Sequence, residues 1–149
     1  MTTDPETGHH PASLRHGDCL LCGWRDPLSL GLRFTHDGNG GLRALFRVGP
    51  ELQGYDGILH GGVISALLDA AMTHCLIHRG VPALTAELKV RYLLPVPCDG
   101  ELRISARILE ARPPLYRISA ELMRNGDVYA TASASFIHRE CDPAASASP

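Results

Sequence analysis

The sequence predicts an α+β domain: one long apolar helix packed against a curved antiparallel sheet of about six strands. Three observations carry this. Residues 60–78, HGGVISALLDAAMTHCLIH, are apolar almost throughout and long enough for about five helical turns. Four later segments, TAELKVRY (85–92), ELRISARIL (101–109), LYRISAELM (115–123) and VYATASASFI (128–137), alternate with period two, the signature of half-buried strands. The linkers between them, PVPCDG, RPP and RNGD, are turn-forming and too short for crossover helices, so the strands run antiparallel.

Taken in chain order, residues 1–17 form a polar head expected to be flexible, 18–140 a compact body, and 141–149, CDPAASASP, a tail of disorder-prone composition. In the body, LGLRFT (30–35) and LRALFRV (42–48) flank DGNGG, a strong turn signal, and predict a hairpin. Gly80 and Pro82 stop the helix. In the first strand after it, alternation places Ala86, Leu88, Val90 and Tyr92 on one face and Thr85, Glu87, Lys89 and Arg91 on the other. Leu102, Ile104, Ala106 and Ile108 repeat the pattern. A helix apolar on nearly all sides has to be covered on nearly all sides. Either the sheet curls round it or a second subunit covers the remainder.

Composition narrows the function. With 149 residues the chain suits one domain. A formal net charge of -2 gives no electrostatic footprint for nucleic acid or an acidic membrane. No apolar run reaches the roughly 20 residues of a membrane span, and the N-terminus has no signal-peptide core, so the expected location is cytoplasmic. Five cysteines, an odd number, fit a reducing compartment. Cys19-Leu-Leu-Cys22-Gly23, with His16 upstream, has zinc-ligand spacing. A closed zinc site needs a fourth ligand, and no second CxxC or HxxxH follows. The motif is therefore read as small residues in a tight turn, with no metal expected.

Asp69 is the anomaly. A carboxylate in an apolar helix costs several kcal/mol unless it is paired, hydrogen-bonded or protonated. The positions three and four residues away hold Ser65, Ala66, Met72 and Thr73, so no cation on its own helix neutralises it. Burial would raise its pKa towards the range useful for acid/base work. A structural hydrogen bond to Ser65 or Thr73 is the plainer alternative. Gly61 and Gly62 open the helix, where free backbone N–H groups and the positive dipole end can receive an oxyanion. One such donor is worth about 2.7 to 4 kcal/mol of barrier.

His60-Gly61-Gly62 followed by Asp69 resembles the PaaI-like (phenylacetyl-CoA-type) acyl-CoA thioesterases of the hotdog fold. Three further blocks share the resemblance: Cys19 to Gly23 with Gly31 to Phe34, Gln53 to Gly57, and Thr85 to Tyr92. It implies hydrolysis of an acyl-CoA thioester in a homodimer or dimer of dimers, with the site at the subunit interface. It implies no cofactor beyond coenzyme A as part of the substrate. Asp69 would be general base or nucleophile, Gly61 or Gly62 the oxyanion donor, His60 a residue that shapes the helix entrance, and Thr85 a holder of the attacking water. The substrate-binding candidates are Gln53, Gly54, Leu59, Ser65 and Arg91. Lys89, Arg91, Arg117 and Arg139 are the cations available to a CoA diphosphate. Some members carry Asn six residues before the histidine, where this chain has Gly54, and Gln53 is the candidate substitute. Many carry Glu after the helix Asp, where this chain has Ala70. Two rivals share the scaffold: an acyl-CoA-binding protein without turnover, and a hotdog enoyl hydratase or dehydratase.

Overall fold

The structure, a computed structural model, describes residues 16–140. The predicted N-terminal segment, apart from His16 and Gly17, and the predicted tail lie outside the described residues.

Strands β1 (Thr35–His36) and β2 (Leu42–Arg47) precede helix α1 (Gly61–Ile77), and β3 (Ala83–Tyr92), β4 (Glu101–Arg112), β5 (Leu115–Arg124) and β6 (Asp127–His138) follow it. All six form one antiparallel sheet in the order β1-β2-β4-β5-β6-β3. The sheet wraps α1, which packs against β2, β3, β4, β5 and β6. This is the expected architecture, one helix inside a curved sheet.

The alternation in β4 and β5 becomes burial on one face: Leu102, Ile104 and Ala106, and Tyr116, Ile118, Ala120 and Leu122, are buried. On α1, Leu67, Leu68, Ala70, Ala71 and Met72 are all buried, which leaves no wide polar face. A narrow stripe escapes full burial. Gly62 is exposed, and Ser65, Ala66, Asp69 and Thr73 are half-buried at helical spacing. Gly80, at φ 69°, turns the chain out of the helix in a conformation glycine permits.

Two predicted features need correction. The first hairpin strand is only Thr35–His36, because Leu30 N–H and Leu32 N–H donate to Leu20 O and Leu21 O in the cysteine turn instead of pairing with β2. The second concerns β3. Its pairing with β6 shifts between Thr85 and Glu87, so Ala86 forms a bulge. Thr85 lies opposite Phe136, while Leu88, Val90 and Tyr92 lie opposite Ala134, Ala132 and Ala130. All four β6 partners are buried. Directly opposed residues share a face, so the bulge brings Thr85 onto the helix side, against the strict alternation expected. Glu87, Lys89 and Arg91 stay on the outer face.

Candidate active site

The helix entrance is built from backbone. Leu59 N–H donates to Val96 O (2.8 Å) and His60 N–H to Leu52 O (3.0 Å), which pins the chain on both sides of the turn into α1. His60 is the N-cap, and its Nδ1 accepts from Gly62 N–H at 2.8 Å. That bond engages the Gly62 amide. Among the described residues no acceptor is paired with Gly61 N–H. Of the two glycine donors considered, Gly61 is thus the one with no acceptor among the described residues, at the positive end of the helix dipole.

Tyr92, which sequence reasoning did not single out, closes this entrance. Its hydroxyl donates to Gly61 O at 3.0 Å and lies 2.5 Å from Ser65 Oγ. A Cβ at Gly61 would sit 3.5 Å from the Tyr92 ring. No spacing rule links positions 61, 65 and 92; only the packing of β3 on α1 does. Ser65 is engaged with Tyr92, not with Asp69.

Two turns further along the same helix stripe, Asp69 Oδ1 accepts from Thr85 Oγ1 at 2.8 Å. The partner that Asp69 lacked on its own helix is therefore a neutral hydroxyl from β3, delivered by the Ala86 bulge. Asp69 is half-buried and also lines a cavity of about 140 Å³ with Ala66, Thr73 and His74 of the helix and His16, Cys19 and Cys22 of the N-terminal turn. Burial pushes the Cys22 thiol up to about 12, with the neighbouring Cys19 adding to the effect. His74, a buried histidine in the apolar helix, stacks on Phe34 with ring centres 4.5 Å apart. A larger concavity, about 540 Å³, lies between Leu45, Gly100 to Arg103 and Met123 to Gly126, and none of the site candidates borders it.

The binding candidates divide. Gln53 Oε1 accepts from Gly57 N–H at 3.1 Å, so this side chain orders its own loop. Gly54 packs beside His60, where an added Cβ would meet His60 Cα at 3.4 Å, an ordinary contact distance. Leu59 is corrected: its side chain is 2% exposed and belongs to the core. Arg91 is on the outer face of β3 and is not brought to Asp69. Of the other cations, Lys89 pairs with Glu87 (3.2 Å) and Arg117 with Glu110 (3.8 Å) on the surface. No helix among the described residues is long and apolar enough to cross a membrane.

This geometry has relatives. The chain is 31% identical over 96 residues to mouse acyl-coenzyme A thioesterase THEM4, covering 63% of this chain and 41% of that protein. It is 33% identical over 113 residues to MIOREX complex component 3 of Saccharomyces cerevisiae, covering 71% of this chain and 39% of the relative. The chain therefore spans about two fifths of the length of these relatives. Its fold superposes on the PaaI protein of the E. coli phenylacetic acid degradation operon with a TM-score of 0.68 at 16% identity, over 74% of this chain and 80% of that one. The likeness establishes the hotdog fold. The profile of the Thioesterase superfamily matches residues 56–136, from the loop before the helix to the end of the last strand, and the chain belongs to that superfamily.

Proposed function

We infer that the chain hydrolyses an acyl-CoA thioester to a free acid and coenzyme A. The observation that carries this is the Thr85–Asp69 hydrogen bond on the one incompletely buried stripe of an apolar helix. With Oδ1 held by Thr85, Oδ2 is left for catalysis. As general base it removes a proton from water as the water oxygen bonds to the carbonyl carbon. As nucleophile it attacks that carbon itself, giving an acyl anhydride that water then opens. Either route breaks the carbon–sulfur bond, and the departing thiolate takes up a proton. The amide that His60 leaves available supports Gly61 as donor to the carbonyl oxygen.

One chain does not complete this arrangement. Asp69 and Gly61 are eight residues apart on one helix, about 12 Å at 1.5 Å per residue. No single carbonyl reaches both. Two copies with their helices side by side and antiparallel bring Asp69 of one to Gly61 of the other. The edge of β3 supports such a homodimer or dimer of dimers, since it is long, exposes Leu84, and among the described residues pairs with a strand on one side only. The thiols of Cys19, Cys22, Cys75 and Cys98 are all unbridged, which suits a reducing compartment such as the cytoplasm.

The test is thiol release from a panel of aryl and straight-chain acyl-CoAs by wild type and Asp69→Asn, with circular dichroism on both. Release that falls at least about a hundredfold in the folded variant supports the mechanism. No release from any substrate, or equal rates, overturns it. Tight acyl-CoA binding without release identifies a sequestering protein, and loss of crotonyl-CoA absorbance without thiol release identifies a hydratase.

A further inference from the structure

We propose that His16, Cys19 and Cys22 bind a zinc-type divalent cation, whose fourth coordination position opens into the cavity beside Asp69. The three ligand atoms lie within 4.8 Å of one another. His16 Nδ1 is 3.5 Å from Cys22 Sγ. Zinc bonds of about 2.1 Å to nitrogen and 2.3 Å to sulfur at tetrahedral angles require about 3.6 Å between such atoms. That pair already has the spacing of two ligands on one metal, and the widest pair has to close by only about 1 Å.

The backbone is shaped for the task. Cys19 N–H donates to His16 O (3.1 Å), folding the histidine back over the first cysteine, and Gly23 N–H donates to Cys19 O (2.8 Å), closing the loop round the second. Leu21 N–H points at Cys19 Sγ at 3.4 Å, the kind of amide-to-sulfur contact that steadies a thiolate ligand. Gly23 cannot be replaced within this loop, because a Cβ there would meet the backbone of Cys19 and Gly17 at 2.5 to 2.6 Å. A turn serving only to pack small residues does not require two sulfurs and an imidazole nitrogen to converge. Two thiolates and an imidazole select a soft or borderline cation over magnesium or calcium.

The missing fourth ligand, the reason the sequence alone argued against metal, is explained by location. The same three residues line the cavity of about 140 Å³ that Ala66, Asp69, Thr73 and His74 border, so the remaining position faces space large enough for a water. Three protein ligands and one open position is a recognised zinc arrangement. The cation would fasten the N-terminal turn against the helix stripe at Asp69.

The experiment uses the full 149-residue chain, untagged and kept reduced, with zinc(II) and cobalt(II) as probes. The wild type retains about one zinc per chain after desalting, and cobalt(II) produces a thiolate-to-metal charge-transfer band with tetrahedral d–d bands. Cys19→Ser and Cys22→Ser each lower zinc retention at least about tenfold. Cys75→Ser, Cys98→Ser and Cys141→Ser retain it, and Cys22→His retains metal with a weaker band. His9 and His10 can give nitrogen-only binding, which lacks the charge-transfer band. The proposal is overturned if the reduced, folded wild type keeps no zinc and shows no thiolate band, or if the band survives in Cys19→Ser and Cys22→Ser. It is equally overturned by a Cys19–Cys22 disulfide in the isolated protein with no metal uptake after reduction. The wild-type spectrum stands as a test even if a variant fails to fold.

Discussion

In β5, Tyr116, Ile118, Ala120 and Leu122 are buried against the helix, and the strand is hydrogen-bonded on both sides, to β4 and β6. In β3 no residue is fully buried, only Ala83, Leu88 and Val90 are half-buried, and one side has no strand partner among the described residues. Both strands have ten residues, and both contact α1. The difference separates two jobs. The β4-β5-β6 layer completes itself within one chain and holds the helix, whereas β3 supplies Thr85 and Tyr92 to the candidate site and leaves its outer edge for something else to cover.

Asp69→Asn, at the β3 side of the helix, lowers thiol release at least about a hundredfold with unchanged circular dichroism. Ile118→Ala, in β5, does the opposite: it costs about 2 to 5 kcal/mol of stability in denaturant unfolding. Leu84→Ala in β3, whose side chain is 51% exposed, changes that stability by no more than about 0.5 kcal/mol but shifts the proposed dimer towards monomer in sedimentation. A stability loss for Leu84→Ala as large as for Ile118→Ala would erase the distinction between the strands.

Removing the bulge tests how β3 reaches Asp69. Deleting Ala86 takes out the extra residue of the bulge and leaves Thr85 next to outward-facing Glu87, so regular alternation keeps Thr85 opposite Phe136 on the helix side. Loss of one hydrogen bond, about 1.4 kcal/mol, predicts a drop of about tenfold in kcat/KM for Thr85→Val, with Thr85→Ser retaining the wild-type value and the deletion, which keeps the hydroxyl on the helix side, losing less than Thr85→Val. An unchanged rate in Thr85→Val would mean that Thr85 does not act through Asp69. The smallest effect is expected for Arg91→Ala. On the outer face it should alter KM for acyl-CoA by less than about threefold, the scale of an exposed charge. A tenfold rise would put the CoA on the outer face and break the assignment.

Much of this was legible in the sequence for identifiable reasons. The helix was expected over 60–78 and found at Gly61–Ile77, because an unbroken apolar run between a glycine pair and Gly80 admits little else. The buried faces of β4 and β5 followed from period two, which a strand paired on both sides is constrained to obey. His60 caps the entrance by accepting from Gly62 N–H, a contact between residues two apart. Three site features escaped. The bulge at Ala86 has no marker, as neither glycine nor proline is present there. Tyr92 is 27 residues from Ser65 and 31 from Gly61, so its role depends on tertiary contact. Leu59 looked like part of a binding loop, and its burial depends on the sheet that closes over it.

The amino-acid sequence by itself determined the element order, the antiparallel sheet, the apolar helix and the conflict of placing Asp69 within it, because these depend on periodicity and on the local chemistry of glycine and proline. Tertiary structure alone decided which hydroxyl answers Asp69, which side chain closes on Gly61, and that His16 converges with Cys19 and Cys22 beside the same cavity. Those outcomes depend on where separate segments meet, and a single shifted pairing in β3 is enough to reverse which side chain faces the helix.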